Sequence, residues 1–246
     1  MDQIVLVHLS DMHIGDIVDN STFKGDEGFF AHDIALCTNL GSALEDVYRI
    51  TKLDQKKPFH VAFSGDLTAK GSPNEFDMGH TFFLSRWNLD AFHDRVAGLR
   101  LSPGRLCSVA GNHDHWNGGG QWYRFFRPPA YNKTIYDHDF PASPAFWPIA
   151  STEEGLQLVL VGLDSNAGLA DKNTNLRARG RFDSKELKRL KEILKAWKEK
   201  PLTGKSRRRV TALMTHHCIS PQRERARWHN LKEARQLDDE IGRAHV

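Results

Sequence analysis

Cysteine is scarce: Cys37, Cys107 and Cys218 are far apart, odd in number and form no C-x-x-C pair. That excludes a disulfide framework, and it points to reduced, mostly buried thiols in a cytosolic-type compartment. No apolar run approaches the roughly 20 residues of a transmembrane helix. The N-terminus has no basic stretch followed by a long apolar core, so a secretory signal is not expected. The expectation is a soluble, cytoplasmic chain with no membrane partner. An excess of one charge is missing too, since 34 Lys+Arg against 31 Asp+Glu leaves a net +3. Such a balance permits attraction to phosphate-bearing substrates without demanding nucleic acid. No repeat, low-complexity tract or domain boundary breaks the 246 residues. A single domain spanning 1–246 is expected, long enough to bury its core without disulfides or a structural metal.

What the chain does have is a repeated grammar of apolar run followed by ligand residues. Ile4 to Leu9 leads into Ser10-Asp11-Met12-His13, and Phe59 to Ser64 into Gly65-Asp66. Leu106 to Ala110 leads into Gly111-Asn112-His113-Asp114, and Val210 to Thr215 into His216-His217. The runs read as strands, the first as one buried on both faces. Chemistry at strand ends is where α/β folds place their sites. Ile34, Cys37, Leu40, Leu44, Val47 and Ile50 recur at helical spacing and predict an amphipathic crossover helix. Ser72-Pro73-Asn74-Glu75 carries a capping box for a helical segment running to about Leu99, as one helix or two. Trp122 to Pro148 reads as an irregular aromatic and proline-rich excursion, either packed surface or a lid. Leu156 to Leu163 is a further buried strand. Asp183, with Glu186 placed for a capping box, opens a helix whose apolar face is Leu187, Leu190, Ile193, Leu194 and Trp197, ended by Pro201. Arg223 onward reads as a last polar helix. The basic run Lys205 to Arg209 lacks interleaved aromatics, and a solvated loop is expected there in preference to a nucleic-acid patch.

Singly, each polar cluster has a bland explanation as a cap or hydrogen-bonding pair. In order, D-x-H, G-D, G-N-H-D and H-H after four strands point to a metal site. Asp11, His13, Asp66, Asn112 and His216 offer mixed oxygen and nitrogen donors, which suit Mn, Fe or Zn better than an all-oxygen cage for Mg or Ca. No cysteine takes part, so a thiolate structural zinc is not expected. A carboxylate is able to bridge two cations, and two metals about 3.5–4 Å apart clamp a phosphoryl group and hold a hydroxide for in-line attack. His113 is then available for proton donation or charge stabilisation, with Asp114 to hold its ring by a hydrogen bond.

These ordered motifs resemble the calcineurin-like metallophosphoesterase family. Leu9-Ser10-Asp11-Met12-His13 and Ser64-Gly65-Asp66-Leu67-Thr68 are most similar to the bacterial branch that includes cyclic-nucleotide and glycerophosphodiester phosphodiesterases. The similarity covers nearly the whole chain. It implies an α/β fold of two mixed β-sheets in a sandwich flanked by helices, four layers in all, with two metals at the strand ends. Carried over by motif, Asp11 and His13 bind the first metal, Asp66 bridges, and Asn112 and His216 bind the second. His113 assists at the leaving group or transition state, supported by Asp114, and His217 is second choice to His216 as ligand. One departure stands out. The family closes its site with a G-H-x-H motif, and this sequence has none. The resemblance therefore implies a fragment or truncated chain that stops before two more ligands, with His245 a poor substitute.

The expected function is hydrolysis of a small-molecule phosphodiester or phosphomonoester with two metal ions. A crippled protein of the same fold acting as a binding module, and a metal-dependent nuclease, are the alternatives.

Overall fold

In the computed structural model the described residues are 4–15, 39–44, 46–47, 49–50, 59–69, 71–84, 87–88, 96–97, 99, 101–115, 143–151, 155–166, 182, 184–201 and 208–217. The strands are β1 (Leu6–Leu9), β2 (His60–Phe63), β3 (Trp87–Asn88), β4 (Val96–Ala97), β5 (Leu106–Ser108), β6 (Ala145–Ser151), β7 (Leu156–Leu163) and β8 (Arg208–Thr215). Two long helices are α1 (Pro73–Leu84) and α2 (Ser184–Glu199). One sheet has the order β1-β2-β5, all parallel, and a second the order β6-β7-β8, with β6 antiparallel and β8 parallel to β7. The fold is α/β, with each sheet backed by a helix.

Alternation along the strands sorts their side chains into three apolar clusters. Val61 and Phe63 face Phe76, Phe82 and Phe83 of α1. Ala62 points the other way and meets Cys107, Val109, Ile149, Leu160 and Met214, so one cluster joins the two sheets. Val159, Val161 and Leu163 face Leu187, Leu190 and Trp197 of α2, the face read from the sequence. At the start of α1 the capping box is formed reciprocally: Glu75 N–H donates to Ser72 Oγ at 3.3 Å and Ser72 N–H to Glu75 Oε2 at 3.0 Å.

Several expectations change. β1 is only half-buried, with His8 exposed, because among the described residues it lies at the edge of its sheet. Both of its faces still meet apolar clusters, through Leu6 on one side and Val7 and Leu9 on the other. Val47 and Ile50, placed on a buried helix face by spacing, are 47% and 75% exposed, while Leu40 does pack on the core. The segment after Leu84 is not more helix at 87–88 and 96–97 but a small antiparallel ribbon. The end of the aromatic excursion is strand β6. Ile34, Cys37, Asp183, Cys218, the residues 116–142 and the expected last helix lie outside the described residues, as do Lys205, Ser206 and Arg207 of the basic run. Arg209 of that run is half-buried and engaged by its own chain: its guanidinium donates to Gln157 Oε1 and to the carbonyls of Trp197 and Lys200, and it stacks 4.2 Å from the Trp197 ring centroid. Among the described residues, no helix is long and apolar enough to cross a membrane.

Candidate metal centre

The loops after β1 and β2 run side by side past the strand ends, as if the parallel pairing continued. Asp11 N–H donates to Gly65 O at 3.0 Å, His13 N–H to Asp66 O at 3.1 Å and Ile14 N–H to Leu67 O at 2.8 Å. To turn their side chains to one place, Asp11, His13 and Asp66 take positive φ values of 55°, 48° and 54°. That conformation costs a non-glycine residue roughly 1–2 kcal/mol, and such strain gathers at functional sites. Gly111 lets the loop after β5 close against them, because a Cβ there would lie 2.0 Å from Asp66 Oδ1 and 2.2 Å from Asp66 N.

Asp66 is the hub. Its carboxylate is 4% exposed, and Oδ1 accepts the His113 backbone N–H at 2.9 Å. Oδ2 is approached by the Nε2 atoms of His216 at 3.3 Å, His13 at 3.9 Å and His113 at 3.9 Å. His216 also reaches Asn112 Oδ1 with Nε2 at 3.1 Å, while its Nδ1 donates to the Ser64 carbonyl at 3.0 Å. Asp11 stands at the exposed side, its Oδ1 3.9 Å from His13 Nε2 and its other oxygen accepting from Ser10 Oγ. All five expected ligands therefore come together. Two sets of three donors share Asp66: Asp11 with His216, and His13 with His113.

The electrostatics are those of a cation site. Burial would raise the Asp66 carboxyl, but the hydrogen bond to His216, the His216 and His113 charges and the His113 N–H hold it below its ordinary value. Burial would lower the His216 imidazole, yet its bond to Asp66 and the charges of Asp66, Asp11 and Asp114 raise it. His216 Nε2 thus faces the oxygens of both Asp66 and Asn112. A metal ion held by that nitrogen would meet the same two oxygens. Two atoms each about 2.1 Å from one tetrahedral ion are roughly 3.4 Å apart, a spacing the 3.3 Å His216–Asp66 approach matches. The donor set fits metal.

A model of calcineurin-like phosphoesterases matches residues 4–245. The chain belongs to the calcineurin-like phosphoesterase family. Membership implies metal-dependent hydrolysis of phosphate esters, and the Asp66-centred groups are candidate ligands for a metal ion. A search of curated proteins gives no match.

Asp114 needs a correction. It does not hold the His113 ring. Its carboxylate, 2% exposed, accepts from Gly111 N at 2.9 Å, Leu67 N at 3.3 Å, Thr68 N at 3.0 Å and Thr68 Oγ1 at 2.9 Å. It staples the G-D loop to the G-N-H-D loop. The physical reason is placement: four donors converge on a buried acceptor, whereas the His113 ring turns outward and its Nδ1 donates to Ala69 O at 2.8 Å. Burial and the nearby Asp66 charge push the Asp114 carboxyl up, against the pull of the Gly111 and Thr68 hydrogen bonds. His217 is buried and not among the grouped donors; its Nδ1 lies 2.7 Å from Ser165 Oγ, and its ring stands edge-on to His216.

Sequence reasoning missed the carbonyls of Ser64 and Ala69, which fix two imidazole tautomers. Backbone oxygens have no side-chain signature. It also missed the His115–Asp164 pair, 3.3 Å apart, which ties the loop after β5 to the end of β7. The adjacent His113-Asp114-His115 run and Asp164 at a strand end were its only signal.

Proposed function

We propose that this chain is a binuclear phosphoesterase hydrolysing a small phosphodiester or phosphomonoester, on the side of the family that handles cyclic nucleotides and glycerophosphodiesters. The observation that carries the reading is the convergence of three imidazole Nε2 atoms on one buried carboxylate oxygen, Asp66 Oδ2, with Asp11 and Asn112 beside it. Asp11 and His13 would hold one ion, Asn112 and His216 the other, with Asp66 between them. Mixed nitrogen and oxygen donors favour Mn, Fe or Zn. When bound, two such ions supply charge that polarises a phosphoryl group and makes a water nucleophilic at neutral pH.

The chain's own residues prepare for this. Ser64 O orients His216, the His113 N–H pins Asp66 Oδ1 so that Oδ2 faces the donors, and Asn112 contributes an oxygen without further negative charge. A cavity of about 520 Å³ beside His216, reaching from Ser64 and His8 to Leu6 and Met214, has the size of a small-molecule site and supports a small ester. The three apolar clusters support the four-layer arrangement of helix, sheet, sheet and helix.

Metal-stripped protein reloaded with Mn²⁺ should hydrolyse bis(p-nitrophenyl) phosphate. Asp66→Ala should reduce that to the blank. Two ions bound with no turnover of any phosphate ester would overturn this reading.

A further inference from the structure

We propose that the outer face of α2 is a docking surface for the phosphate backbone of double-stranded nucleic acid, gripped without regard to base sequence. This surface shares no residue with the candidate metal centre.

Positive charge is gathered on it. From Ser184 to Lys200 there are seven Lys and Arg against three acids, a net +4, whereas the whole chain carries +3 and the remainder is therefore −1. One of the acids, Glu186, is buried, so the exposed face keeps two, Glu192 and Glu199. A face that served solubility alone would intersperse the two signs. The helix dipole does not account for the excess either. It favours cations in the last turn, yet Lys185 stands in the first turn and Lys188, Lys191 and Lys195 in the middle.

The charge is also linear. Lys188, Lys191, Lys195 and Lys198 follow at intervals of three, four and three residues, which keeps them on one exposed stripe. At 1.5 Å per residue the stripe is about 15 Å long. One strand of a duplex advances about 3.4 Å per phosphate and presents roughly four phosphates over that length. Lys195 pairs with Glu199 at 4.0 Å, the side chains being 77% and 67% exposed, and a pair so screened by solvent yields readily to a phosphate.

The rest of the helix selects among polyanions. Its apolar side is spent on the core, where Leu187, Leu190 and Trp197 pack against β7, so it has nothing to insert into the acyl layer of a membrane. Trp197 lies beneath the Arg209 guanidinium and the Lys200 ammonium, 4.2 and 5.6 Å from its ring centroid, and is not offered to an unstacked base. Lysines act as point charges and not as forked readers of base edges. A row of point charges with neither stacking ring nor inserting side chain fits a duplex backbone.

Fluorescence anisotropy of the full chain with fluorescein-labelled duplex DNA, over roughly 50 to 200 mM KCl, tests this. The expected Kd at the upper salt is about 10⁻⁴–10⁻⁶ M, alike for two unrelated sequences, and log K should fall against log[KCl] with a slope of about −3.6 for four phosphates. Lys188→Gln with Lys195→Gln should flatten the slope by about 1.8, and Lys188→Glu with Lys195→Glu should weaken binding about ten-fold or more. Both side chains are exposed, so the melting temperature should stay at the wild-type value. Should the glutamate pair fail to fold, the glutamine pair and the wild-type slope decide. A wild type that does not bind duplex at the lowest salt, variants that bind as wild type does, a strong preference for one sequence, or phosphatidylserine vesicles bound more tightly than duplex would each overturn the proposal.

Discussion

Replacing Asp114 by asparagine keeps the shape of the side chain and changes one oxygen to an NH₂. Each carboxylate oxygen accepts two hydrogen bonds, Oδ2 from Gly111 and Leu67 and Oδ1 from Thr68 N–H and its hydroxyl. The amide oxygen is able to serve one pair, and the NH₂ then faces the other pair donor to donor. The Thr68 hydroxyl has limited freedom to adapt, since its oxygen already accepts the Gly71 N–H at 2.9 Å. Two charge-assisted bonds at about 1.5–3 kcal/mol each set a gross loss of roughly 3–6 kcal/mol. Relief of a buried charge next to Asp66 offsets part of it. The net expectation is a loss of about 2–4 kcal/mol, or roughly 5–15 °C in Tm for a chain of this size. Urea unfolding should show a lower midpoint at unchanged slope. The ring of His113 should keep its Nδ1 proton, because Ala69 and not Asp114 holds it. Unchanged or increased stability, or a His113 ring that changes tautomer, would refute the staple.

Three other outcomes follow from the same contacts. Gly111→Ala should destroy metal binding while leaving the far-UV spectrum in place, because its Cβ displaces Asp66 and not the sheets; calorimetric metal titration measures this, and normal affinity would contradict it. Cys107 is buried, and burial pushes its thiol up to about 12, so mass spectrometry should find it unlabelled by iodoacetamide at pH 8 until the protein is unfolded. Burial would raise the Asp164 carboxyl, but the His115 ring beside it and hydrogen bonds from His115 and Asn166 hold it below the usual 3.8. Its stabilisation is therefore present above that value and lost as pH falls through the lowered one. The stability gap between wild type and Asp164→Asn should close in acid, and a gap that widened there would reverse the sign.

Much of this was legible before any coordinates. Strand ends rich in carboxylate, amide and imidazole placed the site, and the Ser72–Glu75 capping box fixed the start of α1 to the residue. What escaped depended on position in the fold. β6 carries Trp147 and Pro148 and reads as a loop, but among the described residues it pairs on one side only, and its ladder shifts between Pro148 and Ala150. An edge strand tolerates a proline that a central one rejects. Val47 and Ile50 follow the helical period, yet periodicity says which residues share a face and not how far the core extends along it. Asp114 sits beside His113 in sequence, and adjacency suggested a partnership. The carboxylate instead found backbone donors that no residue identity announces.

Metal-dependent turnover at Asp66 tests the central claim most directly. Hydrolysis of bis(p-nitrophenyl) phosphate is followed at pH 7.5 with Mn²⁺ titrated into metal-stripped wild type and Asp66→Ala. The account predicts a rate that rises and saturates with Mn²⁺ in the wild type and stays at the blank in the variant. A wild type that binds Mn²⁺ but turns over no faster than the blank, or a variant as active as the wild type, would contradict it.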